Sequence, residues 1–283
     1  MYTVKPVHNL LVVGLKEWEA GKTTVAQALL LSLHDLGVNA AGFKPKAGNT
    51  LWYDYDVVYE SLNQGRLYGK DSKRLREASC TDLPEELISP IHRLWATPPH
   101  HLKQNLTTLP YFIVDRVTLW QEKSEEIAVV NDTLPFSYGR EHLVNNLYQA
   151  MTEVRHVSNV KELNEVITGY YPRAVEQAYK RISSQHEAVV CESYADIALP
   201  WKGLKNLDLV LAVQPGYVQA YSPEKYLSAV SLSAKRKREQ RTQEVLDLLN
   251  PIKTVKFPPY RPQQVLDKLK KKMSSLLENI SIF

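Results

Sequence analysis

Cysteine is scarce in this 283-residue chain: there are two, Cys80 and Cys191, far apart in sequence. That usage excludes a disulfide-stapled scaffold and offers no zinc-site spacing, and it suits a reducing, cytoplasmic setting. No apolar run approaches the roughly 20 residues that a membrane-spanning helix needs. The stretch from Met1 to Asn9 is polar and the apolar run behind it is short, so neither a secretory leader nor a membrane partner is expected. A surplus of one charge is also lacking. Thirty-five basic residues stand against 31 acidic ones, a formal net charge of +4, which makes no electrostatic case for a nucleic-acid partner. The one dense basic run, Lys235-Arg-Lys-Arg238 with Arg241, is interleaved with Glu239 and Glu244 in a helical pattern and reads as a solvated helix face. Internal repeats and low-complexity segments are absent.

What is present is concentrated near the start. Leu10 to Val13 form a short apolar run that reads as a buried strand. It leads into Gly14, a polar turn, then Gly21-Lys22-Thr23-Thr24, and a helical pattern follows with Val25, Ala26, Leu29, Leu30 and Leu33. A strand, a loop ending in Gly-Lys-Thr, and a helix are the context of a phosphate-binding loop. Gly21 lets the backbone approach a phosphate, and the first amides of the helix favour an anion. Lys22 would reach the terminal phosphates and the Thr23 hydroxyl would sit on Mg²⁺. The loop, from Gly14 through Lys16, Glu17, Trp18, Glu19 and Ala20 to Thr24, is irregular. In Gly-x4-Gly-Lys-Thr the first glycine belongs at position 16, which is Lys16, while Gly14 comes two residues early. Trp18 either stacks on a ligand or covers the neighbouring core.

Further along, Gly37 is a helix-stop signal and Val38 to Phe43 reads as a second strand ending in Lys44-Pro45. Gly48 and Asn49 read as a turn, Asp54 to Leu62 and Asp71 to Ala78 as helices. Tyr111–Trp120 and Glu126–Val130, around a polar turn, read as a β-hairpin. Residues 140–183 carry helical periodicity, interrupted near Gly169 and Pro172. Ala188 to Cys191, ending in Glu192, and Leu207 to Val213, ending in Gln214-Pro215-Gly216, read as buried strands. Pro223 to Leu249 reads as helix broken near the basic run, Ile252 to Phe257 as a last strand before Pro258-Pro259, and Pro262 to Glu278 as an amphipathic helix. Strands alternating with helices predict an α/β fold with a mostly parallel sheet flanked by helices. Length allows one domain over 1–283, with 103–183 as a hairpin and helical insertion. Ligands of such sheets bind beyond the carboxyl ends of the strands. The Gly14–Thr23 loop, Lys44-Pro45, Glu192 and Gln214-Pro215-Gly216 all lie at such ends.

Glu192, after three apolar residues, is placed to bind Mg²⁺ opposite the phosphate loop; the bland alternative is a strand-end carboxylate in solvent. Asp54 and Asp56 are each either a helix-start acid or a second metal carboxylate. Lys44 is either a cation for a transferred phosphoryl group or an exposed lysine. His92, His100 and His101 lack ligand spacing and read as loop histidines, and Cys191 reads as a core thiol.

The order of these pieces resembles dethiobiotin synthetase and its relatives, a branch of P-loop proteins shared with MinD-type ATPases and cobyrinic acid amidases. The resemblance rests on Glu19-Ala-Gly-Lys-Thr23, Gly42-Phe-Lys-Pro45, an early acid at Asp54 or Asp56, and Val-Val-Cys-Glu192. Glu86-Leu-Ile-Ser-Pro-Ile-His92 is similar to the family's Ser-Pro-His stretch, and Lys256-Phe-Pro-Pro259 to its late element near the nucleotide base. The chain also looks like archaeal proteins described only as predicted P-loop ATPases or GTPases. The resemblance implies ATP, or GTP, with Mg²⁺ as cofactors, and phosphate and metal contacts from Lys22 and Thr23. It implies catalytic roles for Glu19, Lys22 and Lys44, metal carboxylates at Glu192 and at Asp54 or Asp56, and a base site near Gln214, Pro215 and Pro258. Three departures stand out: Glu192-Ser-Tyr-Ala-Asp196 replaces the family's glycine-rich Glu-Gly-Ala-Gly-Gly, the phosphate loop is longer, and the serine after Lys-Pro is missing.

Three functions follow as expectations. The first is an Mg²⁺-dependent ATPase or GTPase that activates a carboxylate or carbamate of a small-molecule substrate. The second is a nucleotide-switched binding protein of the MinD type; such dimers place a lysine near the loop start across the interface, and Lys16 is one residue out of that register. The third is a nucleotide-binding protein that does not hydrolyse. A homodimer is expected.

Overall fold

The apolar run at the start of the chain becomes β1 (His8–Gly14), with Leu10 to Val13 fully buried. This is what a strand hydrogen-bonded on both sides inside a layered fold requires. The structure is a computed structural model that describes residues 7–97, 108–134, 140–233 and 239–280. After β1 come α1 (Lys22–Asp35), β2 (Ala40–Phe43), β3 (Lys46–Thr50), α2 (Tyr55–Asn63), α3 (Lys70–Ala78), α4 (Glu85–Ile88) and β4 (Ile91–Trp95). The middle of the chain holds β5 (Phe112–Trp120), β6 (Ser124–Asn131), α5 (Arg140–Ala150), β7 (Glu153–Val157) and α6 (Val160–Ser183). The last part holds β8 (Ala188–Glu192), β9 (Leu209–Gln214), β10 (Tyr217–Tyr221), α7 (Pro223–Ser233), α8 (Thr242–Leu246), β11 (Lys253–Lys256) and α9 (Pro262–Ile280). The fold is α/β, with two mixed sheets and flanking helices. Among the described residues no helix is long and apolar enough to cross a membrane.

The chain divides into two compact units. The first is Met1–Pro45, Arg74–Asp82 and Ile182–Phe283. Its six-stranded sheet runs β11-β10-β9-β1-β8-β2. β9, β1, β8 and β2 are parallel neighbours, and β10 and β11 extend the sheet antiparallel. Helix α1 packs on β1, β2, β8 and β9 and, through Leu29, Leu30 and Leu33, belongs to the buried core. Its other neighbour is α9, whose Leu269, Met273, Leu276 and Leu277 form the buried stripe of an otherwise lysine-rich helix.

The second unit is Lys46–Lys73 and Leu83–Arg181. Its five-stranded sheet runs β3-β4-β5-β6-β7, with β4-β5 and β5-β6 antiparallel and the outer pairs parallel. Val57, Val58 and Leu62 of α2 and Val144 and Leu147 of α5 pack with Leu94, Val114 and Ala128 in one apolar cluster.

Several sequence expectations are corrected. In place of one mostly parallel sheet there are two mixed sheets. The Tyr111–Val130 hairpin is present as β5 and β6, but β3, β4 and β7 join it to make a sheet of its own. β3 is a polar edge strand containing Gly48, which conceals it as a turn. β4 carries His92 and Arg93, and His92 is a fully buried strand residue and not a loop histidine; His100 and His101 lie outside the described residues. The helical stretch 140–183 breaks at β7, not at Gly169 and Pro172, which both lie inside α6. The burial of Tyr171, Ala174, Val175, Ala178 and Ile182 offsets the donor lost at Pro172. Pro215-Gly216 is the turn of a β9-β10 hairpin, with Gly216 at φ 90°, as the third position of a type II turn demands. The basic run 235–238 lies outside the described residues.

Candidate functional site

Gly14 closes β1, and the Leu15 amide donates to the Val213 carbonyl (3.0 Å), which carries the pairing with β9 one step further. The chain then bulges outward: Lys16, Glu17, Trp18 and Glu19 are exposed, and Glu19 takes a left-handed φ of 53°. Ala20 returns to the core, and Gly21, at φ 88°, is the N-cap from which α1 starts. A left-handed residue here favours glycine. Lys22, the first residue of the helix, folds back over Gly14. A β-carbon at Gly14 would stand 2.8 Å from Lys22 Nζ and 3.0 Å from its Cδ. The early glycine is therefore the one the lysine crosses, and the extra loop length is absorbed by the exposed bulge. Trp18 is 69% exposed, so its ring does not cover the core.

Three strand ends meet beside this loop. The register pairs Val12 with Glu192 and Phe43 with Cys191, so Gly14, Glu192 and Lys44 finish neighbouring parallel strands. Thr23 Oγ1 donates to Glu192 Oε1 at 2.8 Å, and Lys44 Nζ donates to the same oxygen at 2.8 Å. Glu192 has no exposed surface and Lys44 is 6% exposed. Neither is the solvated side chain of the bland alternative; buried charges of this kind are held by partners. Cys191 lies on the same strand, and burial pushes its thiol well above the usual range, consistent with a core thiol.

Lys22 Nζ donates to the carbonyl of Ala195 (2.6 Å), a residue in the left-handed region at φ 43°. Sequence reasoning missed Ala195, since a backbone acceptor leaves no mark in residue type. The third strand end, β9, turns at Pro215-Gly216, and the Phe257 amide donates to the Gly216 carbonyl (2.9 Å). Gln214, Pro215 and Pro258 are thereby gathered at the strand end that also anchors Leu15. The rings of Phe257 and Tyr260 stack there with centroids 6.4 Å apart; Tyr260 had no signal in the sequence.

Asp54 and Asp56 belong to the second unit. Asp54 precedes α2 and accepts from the Thr50 amide (3.1 Å). Lys70 Nζ lies 2.9 Å from Asp56 and 3.9 Å from Asp54. The hydrogen bond to Lys70 holds the Asp56 carboxyl below its ordinary range. Asp56 lies in the first turn of α2, whereas Asp54 stands at the N-cap position without a side-chain cap hydrogen bond.

No family model matches the chain, and no curated protein does. Lys22 is a cation bonded to a neutral carbonyl, a partner it can exchange for a charged phosphate oxygen with a gain in interaction energy. Thr23 and Glu192 are hard oxygen donors in direct contact, the type Mg²⁺ prefers. Among the described residues no group of three or more His, Cys, Asp and Glu side chains converges on one point.

Proposed function

We propose that the first unit binds a nucleoside triphosphate with Mg²⁺ between the Gly14–Thr24 loop and the ends of β8 and β2, and hydrolyses it or uses it to activate a small molecule. The observation that carries this reading is Lys22 laid across Gly14 while Thr23 and Lys44 converge on the buried Glu192. The first amides of α1, which opens at left-handed Gly21, would donate to a phosphate oxygen bound there. Thr23 and Glu192 would hold Mg²⁺, which when bound supplies charge to offset the phosphate oxygens. Lys22 would neutralise the terminal phosphates. Lys44, positioned by Glu192, would meet charge developing on a transferred phosphoryl group or on an anionic acceptor. Burial of Lys44 and Glu192 strengthens such contacts by keeping water away. Gln214, Pro215 and Pro258 frame a site for the base. A carboxylate or carbamate is the acceptor chemistry that a second buried lysine suits.

The test is phosphate release from ATP and GTP with and without Mg²⁺, for the wild type and Lys22→Ala. Release that needs both Mg²⁺ and Lys22 is expected, and the preferred nucleotide identifies the base. Absence of release together with absence of binding of either nucleotide would sink the reading.

A further inference from the structure

The loop that follows Glu192 is held by a segment with no assigned role. Ser193 Oγ donates to the Ile197 carbonyl (2.6 Å), and the Ile197 amide donates to the Tyr194 carbonyl (3.1 Å), so residues 193–197 form a tight turn with Ala195 at its tip. Residues 239–242 clamp that turn from outside. The Ala198 amide donates to the Gln240 carbonyl (2.9 Å), the Thr242 amide donates to the Asp196 carbonyl (2.6 Å), and Ile197 and Arg241 form an antiparallel bridge. Two side-chain pairs reinforce the backbone: Arg241 Nη1 donates to Asp196 Oδ2 (2.8 Å), and the Tyr194 hydroxyl donates to Glu239. Burial and the neighbouring Glu239 charge push the Tyr194 phenol upward, so it remains a donor. Tyr226 of α7 donates to the Ala198 carbonyl (2.8 Å) and ties the far end of the turn. At the tip, the Ala195 carbonyl accepts from Lys22 (2.6 Å) while Ala195 holds the left-handed φ that L-residues disfavour.

We infer that residues 239–242 are a latch that positions Lys22 through the Ala195 carbonyl, and that the latch loosens when a phosphate chain draws the lysine away. Tyr194, Asp196, Glu239 and Arg241 are positioning residues: each acts on Lys22 through the turn and none is placed at the phosphates. The physical cause is a shared constraint. The left-handed Ala195 is kept in place by the clamp on one side and the lysine on the other. Removing the lysine leaves the clamp alone to hold a strained residue, and the turn and clamp open more often. The release on ligand binding rests on the triphosphate reading above; the latch itself does not.

The test is amide hydrogen exchange at Ala198 and Thr242, the two amides that join turn and clamp. In Lys22→Met without nucleotide, both are expected to exchange about threefold or more faster than in the wild type, since one hydrogen bond to a charged group is gone. In the wild type, Mg²⁺ with a non-hydrolysable ATP or GTP analogue is expected to slow the amides of Gly14–Thr24 and speed those of Ala198 and Thr242. Arg241→Ala provides a second variant at an exposed position; its Thr242 amide should start fast and respond little to the analogue. Unchanged exchange at Ala198 and Thr242 in Lys22→Met overturns the latch. Slowed exchange in the Gly14–Thr24 loop with Ala198 and Thr242 unmoved overturns the coupling. Failure of both analogues to slow that loop overturns the triphosphate reading instead, and the Lys22→Met comparison still decides the latch.

Discussion

The two units bury charge in opposite ways. In the second unit the cations are arginines fixed by planar, multiple contacts. Arg93 donates to both oxygens of Asp115 (2.6 Å each), Tyr171 donates to the same carboxylate (2.5 Å), and the guanidinium lies over the Phe112 ring at 4.4 Å. Burial works against the Arg93 charge, but Asp115 outweighs it and holds the guanidinium protonated far above any accessible pH. Arg116 is fully buried and donates to the carbonyls of Leu67, Pro90 and Ser89 as well as to Thr118. In the first unit the buried cations are lysines, Lys22 bonded to a carbonyl and Lys44 to a carboxylate. A guanidinium in a bidentate fork is locked by its geometry, whereas an ammonium on a flexible stem can be re-aimed at little cost. The second unit uses charge as a fastener. The first buries its charge on ammonium groups that lack that fork.

That contrast breaks most visibly at Asp115. Asp115→Ala leaves the Arg93 charge buried without its counter-ion and is expected to cost about 3–5 kcal/mol of stability. Urea unfolding followed by circular dichroism measures it; a loss within experimental error would remove the fastener role. At Lys22 the expectation reverses. Lys22→Ala should cost only about 1 kcal/mol of stability, through the lost bond to the Ala195 carbonyl, while lowering affinity for Mg²⁺-triphosphate by roughly 10- to 100-fold. Calorimetric titration reads the affinity. A drop in stability as large as that of Asp115→Ala would make Lys22 structural. Gly14→Ala sharpens the comparison further. The new methyl meets the end of the Lys22 side chain at 2.8 Å, and that end can swing aside. A stability loss of only about 1 kcal/mol is expected, with weaker triphosphate binding because the lysine is displaced. Unchanged binding would show that the lysine's path over Gly14 is immaterial.

The smallest effect concerns acid in the second unit. Burial raises the Glu126 carboxyl above its ordinary value of 4.5, against the opposing pull of the Arg116 charge and the Thr118 hydroxyl. The folded state then keeps a proton that the unfolded chain has already released. Its contribution to stability is complete below pH 4.5 and is lost as pH rises through the raised value. Glu126→Gln should flatten that part of the stability–pH curve, by about 1 kcal/mol or less. An unchanged slope in thermal melts across pH 4–7 would assign it to other groups.

The passage from β1 to α1 was legible because its signals are local. An apolar run, a glycine able to take φ 88°, and a helical repeat lie side by side in sequence, and β1 and α1 form where they do for those reasons. Glu192 was legible as a polar residue ending an apolar strand. The second sheet was largely illegible. β3 and β7 are edge strands with polar or charged faces, so period-two alternation is weak, and β4 is a strand only because β3 and β5 pair with it. Asp54 and Asp56 were legible only as alternatives, because an acid at a helix start looks the same in sequence whatever it meets; the structure places Lys70 beside both.

By itself the sequence determined that this chain is α/β, that one loop near its start joins a buried strand to a helix through Gly-Lys-Thr, and which polar residues finish apolar strands. Those features depend on residues a few positions apart, where propensity and periodicity act directly. Only the tertiary structure decided that the chain splits into two mixed sheets, that Lys22 crosses Gly14 to reach the Ala195 carbonyl, and that Thr23 and Lys44 share one oxygen of Glu192. These depend on strand register and on backbone groups that every residue carries alike. No local pattern encodes them, because the same carbonyl or amide is chosen only when distant segments pack together.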